Sequence, residues 1–68
     1  MSVQGKIVDV DAKHGYGFIE EAIGHQRVFF HLGDMCSAQS FPHVDDSVKF
    51  DIESDAHGCQ LALNIHLS

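Results

Sequence analysis

The sequence predicts an all-β chain in which five short antiparallel strands close into one small barrel. Three observations carry this expectation. Apolar and polar residues alternate with period two in five separate runs, the pattern of strands that each bury one face. The runs are punctuated by turn-forming residues, among them Gly24, Pro42 and Gly58, and no stretch carries a helix of useful length. Closing the sheet on itself removes the free edges that five short strands would otherwise expose.

The first run spans residues 6–11 and the second 15–21, with a break at 12–14. Successive side chains of a strand point to opposite faces, so in the second run Tyr16, Phe18 and Glu20 share one face and Ile19 takes the other. The third run, 26–31, follows a break at 22–25 around Gly24. Its Val28 and Phe30 make a wholly apolar face suited to a core, whereas Phe29 and His31 make a mixed face suited to solvent. In the fourth run, 47–53, Val48, Phe50 and Ile52 alternate with Lys49, Asp51 and Glu53. In the fifth, 59–66, the apolar set is Leu61, Leu63 and Ile65, with Leu67 next in phase, against Ala62, Asn64 and His66. The segment 32–46 has room for one helical turn and a loop, and is the place where free and bound forms would differ.

At 68 residues the chain is expected to be a single domain, residues 1–68, with one small core; a domain of this size buries only about 60% of its unfolded surface. A composition of 44% hydrophobic and 21% charged residues excludes the disordered class. No apolar run reaches the roughly 18 residues that span a bilayer, and the start Met1-Ser2-Val3-Gln4-Gly5-Lys6 lacks the regions of a signal peptide. The expectation is a cytoplasmic protein without membrane contact. In that setting Cys36 and Cys59 read as two reduced thiols rather than a disulfide. The formal charge of −6, with only four Lys and Arg, argues against tight phosphate-driven binding to nucleic acid. Stacking remains open to such a chain, since it is worth about 1 to 3 kcal/mol per base and needs no cation.

Four of the six aromatics fall in Gly15-Tyr16-Gly17-Phe18-Ile19 and Val28-Phe29-Phe30-His31. Rings on a solvent-facing sheet, with glycines keeping the surface low around them, form a platform on which bases can stack. These residues resemble a family, the cold-shock domains. Lys13-His14-Gly15-Tyr16-Gly17-Phe18-Ile19 resembles its first ribonucleoprotein motif, Val28-Phe29-Phe30-His31-Leu32 its second, and Ala62-Leu63-Asn64-Ile65 its last strand.

The resemblance covers nearly the whole chain. It implies a five-stranded barrel of the oligonucleotide-binding (OB-fold) type that binds single-stranded RNA or DNA, with no cofactor and no catalysis, in RNA chaperoning or in the tuning of transcription or translation. It places base-stacking roles on Tyr16, Phe18, Phe29 and His31, with Phe41 as a fifth ring, and basic roles on Lys13, His14 and His57. Where the family carries a stacking Trp this chain has Asp9, and Leu32 stands where a further aromatic is common. On the value per ring the resemblance thus implies a loss of about 2 to 6 kcal/mol of gross binding, which turns nanomolar into micromolar affinity at about 1.4 kcal/mol per tenfold.

Other readings stay open from sequence. Imidazoles charge near an ordinary pKa of about 6.5, so charging His14, His31 and His57 would raise single-strand affinity at lower pH. Cys36 with His43, and His57 with Cys59, are pairs of zinc-ligand types without the spacing of a zinc site. No nucleophile, base and orienting group form a constellation, so no enzyme is expected. The rival is a protein-interaction module on the same barrel that has lost nucleic-acid binding, with Asp9, Asp11, Glu20 and Glu21 turned toward a basic partner. Grouping of Lys6, Lys13, Arg27 and Lys49 around Tyr16 and Phe29 favours nucleic acid, and a scatter favours the protein partner. A monomer is expected, with strand exchange through 32–46 as the route to a dimer.

Overall fold

The computed structural model of the protein describes residues 2–36 and 41–67. Five strands follow in chain order: β1 (Val3–Asp11), β2 (Tyr16–Glu21), β3 (Arg27–His31), β4 (Ser47–Ser54) and β5 (Gln60–Leu67). A 3-10 turn, Leu32–Asp34, follows β3. The strands close into a barrel in the order β1-β2-β3-β5-β4. Among the described residues no helix is long and apolar enough to cross a membrane.

The all-β barrel and its five strands are as the alternation predicts. Two features of the pairing lie outside that pattern. The seam between β3 and β5 is parallel, with Phe29 opposite Leu61, while the other four seams are antiparallel. β1 also begins three residues earlier than predicted. Val3 to Lys6 pair with β4 and Gly5 to Asp11 with β2, so one strand joins two walls of the barrel. Gly5 sits at an inward position there and supplies no apolar signal, which hides this part of the strand from a reading of hydrophobic period.

Ile7, Ile19, Val28, Phe30, Val48, Phe50, Ala62 and Ile65 form the buried core. Phe30 and Phe50 are the largest of these, and each such side chain contributes about 1.5 to 3 kcal/mol on burial. Gly17 is inside as well. A Cβ there would collide with the carbonyl oxygen of Asp9 and lie 2.8 Å from Cε1 of Phe30, so glycine lets β1 and the Phe30 ring close over β2.

β5 departs from the expected face. Its buried residues are Ala62 and Ile65, three apart, whereas strict alternation assigns the core face to Leu61, Leu63 and Ile65. The cause is an extra residue in β5: the register with β4 shifts between Lys49 and Asp51, and Asn64 adopts φ 52°. That left-handed backbone is one that Asn tolerates better than most residues. Its side-chain amide donates to Oδ2 of Asp51 across the seam, 3.1 Å away. The bulge turns Ala62 inward and leaves Leu61 and Leu63 half-buried.

A second bulge shapes β1. Ile7 lies opposite Ile19 but Asp9 lies opposite Phe18, so Val8 is the extra residue. Without that shift, alternation from the buried Ile7 would send Asp9 and Asp11 into the core, at the cost of burying two carboxylates. The bulge instead sends both aspartates to the outer surface.

Candidate nucleic-acid interface

The register of β1, β2, β3 and β5 arranges the outer face into three cross-strand rows. Asp11, Tyr16 and His31 form the first. Asp9, Phe18, Phe29 and Leu61 form the second. Lys6, Glu20 and Arg27 form the third. The alternation of β2 and β3 places Tyr16, Phe18, Phe29 and His31 here, as their period requires, because their neighbours Ile19, Val28 and Phe30 fill the core.

The rings touch one another. Tyr16 and Phe29 lie 5.4 Å apart between centroids and nearly parallel at 29°. Phe18 meets Phe29 edge-on at 5.6 Å and Tyr16 at 6.3 Å, and His31 meets Phe29 edge-on at 4.9 Å. The His14 ring, from the turn between β1 and β2, stands 6.2 Å from Tyr16. Such spacings are those of favourable aromatic pairs, so each ring is held by its neighbours. Tyr16, Phe18 and Phe29 are half-buried and His31 is exposed. A surface of fixed, partly exposed rings can take up flat apolar faces without paying to order itself first.

The carboxylates around the rings differ in their commitments. Asp11 accepts from the His14 backbone N–H at 3.1 Å and contacts its Nδ1 at 2.8 Å. The hydrogen bonds from the His14 side chain and then its backbone hold the Asp11 carboxyl below its usual value of 3.8. Glu20 stands 3.3 Å from Nδ1 of His25. Asp9 is exposed and, among the described residues, has neither an ion pair nor a side-chain hydrogen bond. Of the four cations, Lys6 and Arg27 flank Glu20 on the ring face and Lys13 lies in the turn leading into Tyr16. Lys49 lies on β4 between Gln4 and His66, away from the rings.

Tyr16, Phe18, Phe29, His31 and His14 are thus brought together. Phe41 is not: its ring is half exposed, at 51%, and pairs with His43 at 5.9 Å, with no contact to the ring array among the described residues. His57 sits in the turn between β4 and β5, where its N–H and that of Cys59 both donate to Oδ1 of Asp55 at 2.8 and 2.9 Å. The parallel seam puts that turn at the Arg27 end of β3, opposite the end that carries His14. Leu32 packs partly against the core instead of joining the platform. Leu61, beside Phe29, is the platform neighbour that the sequence did not reveal, because alternation assigns it to the core; the left-handed Asn64 is what displaces it.

Cys36 and Cys59 are exposed free thiols. Among the described residues no three His, Cys, Asp or Glu side chains gather as a metal site.

Residues 3–67, the whole of the barrel, match the family model of the 'Cold-shock' DNA-binding domain. The chain belongs to the cold-shock domain family. Cold-shock domains are, in general, nucleic-acid-binding modules. In all, 46 solved chains match this cold-shock domain. One is a segment of Drosophila Unr, CSD456, at a TM-score of 0.87 and 22% identity over 100% of this chain. That likeness is one of fold, and this domain spans only 27% of the Unr chain. No curated protein matches the sequence.

Proposed function

We propose that this cold-shock domain binds single-stranded RNA or DNA, without catalysis and with low affinity, by stacking bases on Tyr16, Phe18, Phe29 and His31. The observation that carries the reading is the mutual contact of the three carbon rings, 5.4 to 6.3 Å apart, in register on the outer face of β2 and β3. Three of the four cations border that face or the turn leading into it, which supports a strand laid across the rings with its phosphates toward Lys6, Arg27 and Lys13. Stacking is sequence-tolerant because every base has a π-face, a property suited to RNA chaperoning or to tuning transcription or translation. In this reading the protein acts in the cytoplasm as a monomer.

Fluorescence anisotropy of labelled oligo-dT and oligo-U tests it at low salt. Phe18→Ala is expected to weaken binding by about 1 to 3 kcal/mol, with circular dichroism showing that the barrel is retained. Equal affinity for the folded variant and the wild type would remove the platform from the account.

The row Asp9–Phe18–Phe29–Leu61 also favours a second reading, a surface for a basic protein partner, because it joins apolar groups to an uncommitted carboxylate. Absence of binding to either oligonucleotide at hundreds of micromolar protein would select it.

A further inference from the structure

We infer that Asp9 reads the edge of the base stacked on Phe18, and that it selects guanine there. The inference rests on the stacking function proposed above and adds a base preference to it. Asp9 and Phe18 are directly opposed Cα partners on adjacent strands, a relation that brings Cβ atoms to about 4.5 to 5.5 Å. A base lying on the Phe18 ring therefore presents its edge to whatever side chain stands at position 9.

What stands there is a carboxylate with no task of its own. Asp11 is occupied by His14 through both oxygens, and Glu20 is paired with His25. The second bulge turns Asp9 outward and leaves it exposed with no protein donor among the described residues. An ionised carboxylate only accepts hydrogen bonds, and it can accept two in parallel. Bases in single strands offer their Watson–Crick edges to such contacts.

The four bases present different edges to an acceptor. Guanine offers two adjacent donors, N1–H and the N2 amino group, which match the two oxygens of one carboxylate. Cytosine and adenine each offer an amino donor beside a ring-nitrogen acceptor, so only one oxygen is served. Uracil and thymine offer a single N3–H between two carbonyl oxygens, which face the negative charge unfavourably. The expected order at this position is guanine first, cytosine and adenine between, and uracil or thymine last.

The test is anisotropy with labelled dT7 and with dT7 carrying one central dG, one dI or one dC, against wild type, Asp9→Ala and Asp9→Asn. For wild type the dG strand is expected to bind about tenfold more tightly than dT7, the lower range of a bidentate base contact. Inosine, which lacks the N2 amino group, is expected to lose most of that gain. Both variants, which change an exposed side chain, should bring the dG-to-dT7 ratio close to one, and Asp9→Ala should bind dT7 more tightly than wild type because the charge is gone. Equal binding of dG and dT7 strands by wild type overturns the inference and leaves the stacking platform standing, as does a guanine preference that survives in Asp9→Ala. Binding of no strand by wild type overturns both.

Discussion

At the scale of single residues, Asp11 and His14 show how a local pair sets the rim of the platform. Sequence singled out His14 as a basic residue before the ring motif, yet its ring turns to Asp11, three positions back across the turn. The carboxyl is held low chiefly by the His14 side-chain hydrogen bond. A carboxyl whose pKa is lowered on folding stabilises the fold above its unfolded value, and that contribution is lost as pH falls through the lower folded value. The loss therefore falls at and below pH 3.8, the usual value for this group. Both groups are on the surface, so the effect on global stability is small. By NMR titration, Asp11 is expected to titrate below the usual value in wild type and to move up toward it in His14→Ala. A titration unchanged by that substitution would mean that the His14 side chain is not what chiefly holds the carboxyl low. The sequence made the ring residues legible because their alternation is local. It did not reveal that Asp9 is uncommitted while Asp11 and Glu20 are engaged, since those pairings depend on turn geometry.

At the scale of elements, the five runs of alternation found all five strands, and the one-turn helix falls in the segment that had room for it. What alternation could not see is where it breaks. Each bulge adds one residue opposite a partner strand, so it exists only in the pairing, and each reverses the faces beyond it. The parallel seam is equally non-local, because β3 and β5 are separated by residues 32–59. The β5 bulge is directly testable, since it depends on a residue that accepts φ 52°. Asn64→Val puts a β-branched side chain in the left-handed region, at a cost of about 1 to 2 kcal/mol, and removes the hydrogen bond to Asp51. Asn64→Gly loses the same hydrogen bond but accepts the left-handed backbone, and is expected to be about 1 to 2 kcal/mol more stable than Asn64→Val. Urea denaturation of the two variants measures the difference. If valine were as well tolerated as glycine, the left-handed turn would not be what directs Ala62 and Ile65 into the core.

At the scale of the whole molecule, the proposed binding of a single strand sets a chain of net charge −6 with four Lys and Arg against its own overall field. The barrel eases this by placement. Lys6 and Arg27 share the ring face and Lys13 lies in the adjoining turn, while Lys49 is on another wall. A strand crossing the rings then meets two or three cations, and each neutralised phosphate on a single strand contributes about 0.7 to the slope of log affinity against log salt. The expected slope is about −1.5 to −2, shallow because stacking, which releases no counterions, supplies most of the energy. Anisotropy titrations across a salt series measure it. Lys6→Ala and Arg27→Ala should each flatten the slope by about 0.7, whereas Lys49→Ala should leave it unchanged while shifting the net charge by the same unit. Equal flattening by all three substitutions would mean that the strand responds to the overall field of the protein rather than to cations set beside Phe18 and Phe29, and the proposed path across the rings would be wrong.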